Sequence, residues 1–384
     1  MWDRIVHDSP DTWLYHLYDW LKRTEKIWDL ESRSFLVENN GEIIGIFPLQ
    51  MQKGSRKLYS IFMGTGGAAV KNGILPSFRE KVMEGMYDHV EQIASENGCP
   101  SVVVYLPPLS ESSTNNRWNV NPLVNHFYTD ISTHSWIVDL TQPKEGIYKN
   151  LSENAKRKIR EATKKGYKIR AIKSRSEIDI LYDIHCETYH RTGATPHPKE
   201  YFLSIYDYVV AKNNAKTWVA VDANDNPVAF TNIGTFKKGA FYWTVCCRDE
   251  HFKNGVYYLL LWHAIQSAKD DNFIWFDCAE AFPNVRNGKL KGLSEFKSKF
   301  GGELHRFYKG SITFDTRVAR KTVFENWLKD TELLLQPLLG MRTANLITRL
   351  FRKCGYFAAK IARASSARAS KKLARQKDSG SIPR

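Results

Sequence analysis

The strongest constraint on what this chain can fold into is a repeat within it. Segments 35–38 and 43–49 flank Asn39-Asn40-Gly41, and segments 218–222 and 227–233 flank Ala223-Asn224-Asp225-Asn226. Strand-length apolar runs around Asn- and Gly-rich links are hairpin signals. The two hairpins superimpose at a constant offset of 184 residues, which pairs Val37 with Val221, Glu38 with Asp222, Asn40 with Asn224, Ile44 with Val228 and Gly45 with Ala229. Each is followed by another strand (58–63 and 240–246), a long helix, and a short apolar strand (101–106 and 273–277). The first helix is expected over 77–94, opened by a Ser77/Glu80 capping box, with Phe78, Val82, Met86 and Val90 on one stripe. The second, over 255–269, is apolar nearly all round and so is expected to be buried. The pattern predicts an α/β fold with mixed sheets, built as two tandem copies of one unit in which a meander leads through a crossover helix into a central strand.

Length allows this, since 384 residues can fill two cores. The expected division is 1–140 and 141–315 for the two units, a helical basic amphipathic extension at 316–363, and a basic disordered tail at 364–384. Aromatic residues make up 13% of the chain, which excludes a largely disordered protein. No stretch is apolar for the length of a membrane span, and the start lacks the pattern of a secretory signal. Six cysteines stand in no metal or redox spacing, so reduced thiols and a cytoplasmic location are expected, with no metal site.

The formal charge of +15 is unevenly placed. Residues 342–384 hold twelve Lys and Arg against the single acid Asp378. A general nucleic-acid binder would spread its basic face over the fold itself. The tail instead interleaves apolar residues such as Leu346, Ile347, Leu350, Phe351 and Phe357 with Arg349, Arg352, Lys353 and Lys360. That pattern suits a helix packed on the body, or one in peripheral contact with an anionic membrane at its inner face.

Segment 151–166 carries the clearest local signal. Leu151, Ala155, Ile159 and Ala162 form one narrow apolar stripe, Ser152 is placed to cap the start, and Gly166 to end the helix. Lys156, Arg157, Lys158, Arg160, Lys164 and Lys165 face outward against only Glu153 and Glu161. Two readings stand, a solvated charged face and a phosphate-binding surface with Arg157, Lys158 and Arg160 at its centre.

This basic helix, the Thr192-Gly193 to Pro198 segment before Tyr201-Phe202, the meander, Trp262-His263-Ala264-Ile265, Phe276-Asp277, and the run Phe296-Lys297-Ser298-Lys299-Phe300-Gly301 together resemble the FemAB-type acyltransferases of the GNAT N-acyltransferase superfamily. The likeness covers residues 145–312, while 1–140 matches in layout. It implies two tandem GNAT-like domains and transfer of an acyl group to an amine. The donor would be a substrate, acyl-CoA or another thioester, or an aminoacyl-tRNA, with no tightly bound cofactor. The acceptor would be a small-molecule, nucleotide-linked or lipid-linked cell-envelope sugar.

Such chemistry needs few protein groups. An activated ester or thioester reacts with an amine once the two are held in line, and a cation placed where the oxyanion develops is worth about 10²- to 10³-fold in rate. The resemblance assigns that cation to Lys297, beside Phe296; the competing reading has Lys297 snorkelling from a buried helix end. Asp277 and Glu280, just past a central strand, are candidates for taking the amine's proton, and Asp277 could instead be a structural cap. His185 and Tyr189 could line an acceptor pocket or simply pack. Where GNAT enzymes cradle a pyrophosphate, this chain reads Arg248 to Val256 with a single glycine, so Asn254, Gly255 and Val256 would have to hold the donor. The alternatives outside catalysis are a nucleic-acid-binding protein or an inactive GNAT-like scaffold.

Overall fold

The computed structural model describes residues 1–116 and 119–314. In its second half, Ala215–Val221, Pro227–Phe236 and Gly239–Cys247 form the expected antiparallel meander, and Trp275–Ala281 adds in parallel to the last of these. Lys168–Ala171 closes one edge of this sheet, while Thr133–Asp139 and Glu303–Phe307 extend the other to seven strands. Pro227–Phe236 is buried along almost its whole length, as a strand covered on both faces must be. On one face lie the basic helix Glu153–Lys164 and the crossover helix Val256–Asp270, which bury Ile159, Leu261, Ile265 and Phe276 together. On the other face, helix Ile178–Thr192 and the N-terminal residues Trp13, Tyr15 and Trp20 share a core with Phe202 and Phe230. The beginning of the chain therefore packs directly against the second repeat.

The first half keeps the same order but splits its meander. Phe35–Asn39 and Glu42–Phe47 pair as expected and take Ala69–Val70 as a third strand. Pro48 follows, a residue with no N–H to give a ladder. Beyond it, Gln50–Gln52 pairs instead with Leu30–Ser32 and Leu58–Tyr59 in a six-stranded sheet. The crossover helix Pro76–Glu96 then leads to Ser101–Tyr105, which runs parallel to Leu58–Tyr59. The Ser77/Glu80 capping box does not form, because the helix opens on Pro76 after Leu75 and Ser77 falls inside the first turn. Phe78, expected on the buried stripe, is exposed.

The halves exchange strands. Thr133–Asp139, which precedes position 140, pairs within the seven-stranded sheet. Glu303–Phe307 stays in that sheet, and Lys309–Thr313, one residue further on, crosses to pair with Ser101–Tyr105 in the six-stranded one. The extension and tail expected at 316–384 lie outside the described residues. Among the described residues no helix is long and apolar enough to cross a membrane.

Two details of this packing have measurable consequences. Gly255 sits at φ +81°, and a Cβ there would lie 2.6 Å from the Lys158 carbonyl oxygen, so the basic helix docks on the start of the crossover helix through a position only glycine fits. Gly255→Ala is expected to cost about 2 kcal/mol or more from left-handed strain and the clash, lowering the thermal midpoint by several degrees. An unchanged midpoint would show that the helices are not joined there. His16 and His185 are fully buried, and burial pushes both down to about 4. Between pH 6.5 and 4 the unfolded chain takes up protons that these folded imidazoles refuse, so stability falls with decreasing pH across that window. His185→Gln, which retains an acceptor for the His197 N–H, is expected to make the loss between pH 7 and 5 smaller by about 2 kcal/mol in urea unfolding. Equal losses in the two proteins would mean that His185 protonates in the folded state.

Candidate active site

Gly239–Cys247 and Trp275–Ala281 pair over only three residues, Gly239 with Trp275 through Phe241 with Asp277, and then part. Where they part, Trp275–Ala281 is also bulged. Asp277 faces Ile137 and Glu280 faces Ser135, so Cys278 and Ala279 together oppose Trp136, and Ala279 takes φ +67°. Strict alternation would send side chains at 277 and 280 to opposite faces. The bulge turns both into one cavity of about 260 Å³.

Both halves of the chain line this cavity. Tyr242, Trp243, Asp277 and Glu280 come from the second repeat, and Trp13, Tyr15, Thr65 and Tyr105 from the first. The Asp277 carboxylate accepts the Ser135 hydroxyl at 2.5 Å and the Ala279 N–H at 2.6 Å through the same oxygen, fixing the bulge. Burial raises its pKa, a shift opposed by those two hydrogen bonds and by the positive charge of Lys297. Lys297 is the only buried residue of helix Gly288–Ser298. It is 3% exposed, and its Nζ donates to the Glu280 carbonyl at 2.6 Å, so it does not snorkel to solvent. Burial lowers its pKa while Asp277 and Glu280 favour its charge. Glu280 Oε1 accepts Lys309 Nζ at 2.5 Å and Thr133 Oγ1 at 2.7 Å. The Lys309 ammonium also stands 4.8 Å from the Tyr105 ring and 4.2 Å from the Phe307 ring.

Lys297, Asp277 and Glu280 thus meet in one cluster, the first two buried and Glu280 partly open to the cavity. Lys297 lies behind the cavity wall rather than among its lining residues. Phe296 packs against Tyr258 and Phe300 and does not line the cavity. His185 is in the core, where its Nε2 accepts the His197 N–H and its Nδ1 faces Cys246 Sγ at 3.4 Å; Tyr189 hydroxyl bonds His197. Neither lines the cavity. Sequence reasoning missed Ser135, Thr133, Lys309, Tyr15 and Tyr105. Lys309 leaves a trace, a charge directly after the apolar pair Phe307-Tyr308, whereas the others leave none.

The basic helix and the loop before the crossover helix lie together. Arg157 and Lys158 both pair with Glu161, and Lys156 with Glu153, while no ion pair holds Arg160 or Lys164 among the described residues. Asn254 joins the two elements, its side chain accepting from Lys165 Nζ at 2.6 Å and donating to the Tyr167 hydroxyl at 2.9 Å. A Cβ at Gly255 would meet the Lys158 carbonyl oxygen, and Val256 is fully buried. The Asp249 N–H donates to the Glu187 carboxylate at 2.5 Å, and Arg191 pairs with Asp249.

Residues 149–297 match the family described as Acetyltransferase (GNAT) domain. Among solved structures the chain is similar to FemX, with a TM-score of 0.61 at 13% identity, covering 83% of this chain and 96% of that one. It is similar also to L-PGS from Bacillus licheniformis, with a TM-score of 0.53 at 14% identity, covering 83% and 97%. No curated protein matches the sequence. By the family match residues 149–297 are a GNAT-type acetyltransferase domain, and the likeness to the solved structures supports a FemAB-like GNAT fold.

Proposed function

We propose that the protein forms an amide, moving an acyl group from an activated ester or thioester onto an amino group of a cell-envelope polysaccharide, nucleotide-sugar or lipid-linked precursor. The observation that carries this reading is the cluster of Asp277, Glu280, Lys297 and Lys309 where the parallel strands part, opening into a cavity shared by both halves. In the reaction the amine lone pair forms the C–N bond, the carbonyl becomes an oxyanion, and collapse breaks the C–O or C–S bond to the carrier. The nitrogen gives up a proton, and the leaving oxygen or sulfur gains one. Glu280, whose carboxylate lines the cavity, is the base. Lys297 supplies positive charge immediately behind the bulge and Lys309 within the wall, and both act with little screening because they are buried.

Acyl-CoA is the first donor class. Aminoacyl-tRNA is the second, favoured by the loop before the crossover helix. There the Asp249 N–H that could meet a pyrophosphate is taken by the Glu187 carboxylate, while Arg160 and Lys164 are left for a longer phosphate backbone. A location at the inner membrane face suits a lipid-linked acceptor.

Native mass spectrometry of protein purified from its source is expected to show retained coenzyme A, charged tRNA or a sugar nucleotide. With the donor so identified, an amide product should appear by mass when an extract of envelope precursors is added. Glu280→Gln should reduce turnover about 10²-fold or more with its unfolding midpoint nearly unchanged. Lys297→Met should lose turnover by about 10²- to 10³-fold and also some stability, since it strips a partner from the buried Asp277. Wild-type turnover in Glu280→Gln would remove the assigned base, and absence of amide product with either donor class would remove the function.

A further inference from the structure

The cavity between the halves has a composition that the acyl-transfer chemistry alone does not require. Seven of its seventeen lining residues are aromatic, among them Tyr15, Tyr105 and Trp243. The rings are braced against each other. Tyr15 meets Trp243 edge-on at 5.4 Å and Phe241 at 5.5 Å, Phe241 lies 5.3 Å from Trp243, and the Trp243 indole N–H donates to the Tyr201 hydroxyl at 2.7 Å. Into this box project two carboxylates, Asp277 and Glu280, against one ammonium, Lys309.

The hydrogen bonds divide that charge unevenly. Lys309 is committed, its Nζ bonded to Glu280 Oε1 and its remaining faces turned to the Tyr105 and Phe307 rings. Thr133 donates to the same Oε1. Among the described residues no hydrogen bond reaches Glu280 Oε2, and the side chain keeps 32% of its surface accessible. Two donors thus pin one oxygen of the carboxylate and leave the other turned to the cavity. A fixed carboxylate oxygen among aromatic faces is the chemistry that recognises an organic ammonium, which gains a charge-assisted hydrogen bond and cation–π attraction together.

We propose that this cavity is an ammonium subsite: a protonated primary amine carried on an apolar or ring-shaped body docks on Glu280 Oε2 between the Tyr15, Tyr105 and Trp243 rings, with Lys309 and Thr133 as the residues that position the carboxylate. The inference rests on the acyltransferase reading and names the form in which the acceptor enters. The docked ammonium gives one proton to Glu280 Oε2, and its freed lone pair forms the C–N bond to the acyl carbon as the donor's C–O or C–S bond breaks. A second proton passes from nitrogen to the leaving oxygen or sulfur, and Glu280 returns the first to solvent.

The test uses benzylammonium chloride titrated into the full-length protein at neutral pH. Binding is followed by tryptophan fluorescence, because Trp13 and Trp243 line the cavity, and by ligand-observed NMR. Saturable millimolar or tighter binding is expected. Benzyl alcohol, equal in shape but uncharged, should bind roughly 10- to 100-fold more weakly, and so should benzylammonium to Glu280→Gln, the size of a lost charge-assisted hydrogen bond. The alcohol comparison uses the wild-type protein and so stands even where a variant folds poorly. Tyr105→Leu, which keeps the carboxylate, should lose several-fold. Equal binding of alcohol and amine, or no saturable binding of the amine to wild type, overturns the subsite. The readout needs no acyl transfer. Amine binding without any amide product would sink the transferase reading alone, and amide formation without amine binding would sink the subsite alone.

Discussion

Everything at this site depends on two extra atoms' worth of hydrogen bonding at a strand bulge. Asp277 is an acid at the parting of two parallel strands, and its carboxylate holds the Ala279 N–H that the bulge has pulled out of the ladder. A buried backbone donor left alone would cost about 1–3 kcal/mol. By satisfying it, Asp277 stabilises a left-handed residue, Ala279, that is otherwise unfavourable without glycine. Lys297 completes the arrangement from behind, bonding the Glu280 carbonyl one residue beyond Ala279 on the same irregular stretch of chain. Each charge favours the other against the cost of burial, and the Ser135 and Ala279 hydrogen bonds favour the charged form of Asp277 as well.

The sequence was legible where local periodicity decides. The second-repeat hairpin, the crossover helix and the Ser152-capped basic helix stand where spacing puts them, the cap made by the Ser152 hydroxyl on the Ala155 N–H. Reading failed where tertiary pairing overrides it. Nothing local marks Tyr308 as the point where the chain changes sheets. The first meander read as intact because one proline was given too little weight. For the site, the resemblance brought Lys297 into view and the end of a central strand brought Asp277 and Glu280, but alternation alone would have separated the two acids. The bulge that unites them is sealed by Ser135, which lies 142 positions away in the chain and carries no pattern of its own. His185 looked chemical because its residue type is reactive, yet a fully buried imidazole bonded to a backbone N–H is a packing group.

The exchange of strands explains why the cavity needs the whole chain. The GNAT match spans residues 149–297, and the groups that set Glu280 and Asp277, namely Thr133, Ser135 and Lys309, all lie outside it. Thr133 and Ser135 arrive on a strand that precedes the domain, and Lys309 on one that follows it and belongs to the other sheet. The walls Tyr15 and Tyr105 belong to the first repeat. A lone copy of the unit would present the acids without their donors, in a groove open to water, where each interaction is weakened by the solvent dielectric.

This division of labour bears on how the two lysines differ. An ammonium facing a cavity can be matched by substrate charge only in some states of the reaction, whereas one sealed behind the wall has the same partners throughout. Lys297 is of the second kind, since its hydrogen bond goes to main chain and its exposure is 3%. Its field is therefore already oriented before any substrate arrives, and the reorganisation that water would need is absent. Lys309 shares a side-chain oxygen with Thr133, so its effect passes through the direction in which Glu280 points. The first lysine sets the potential and the second sets the geometry, and the bulge is the one element that both of them hold.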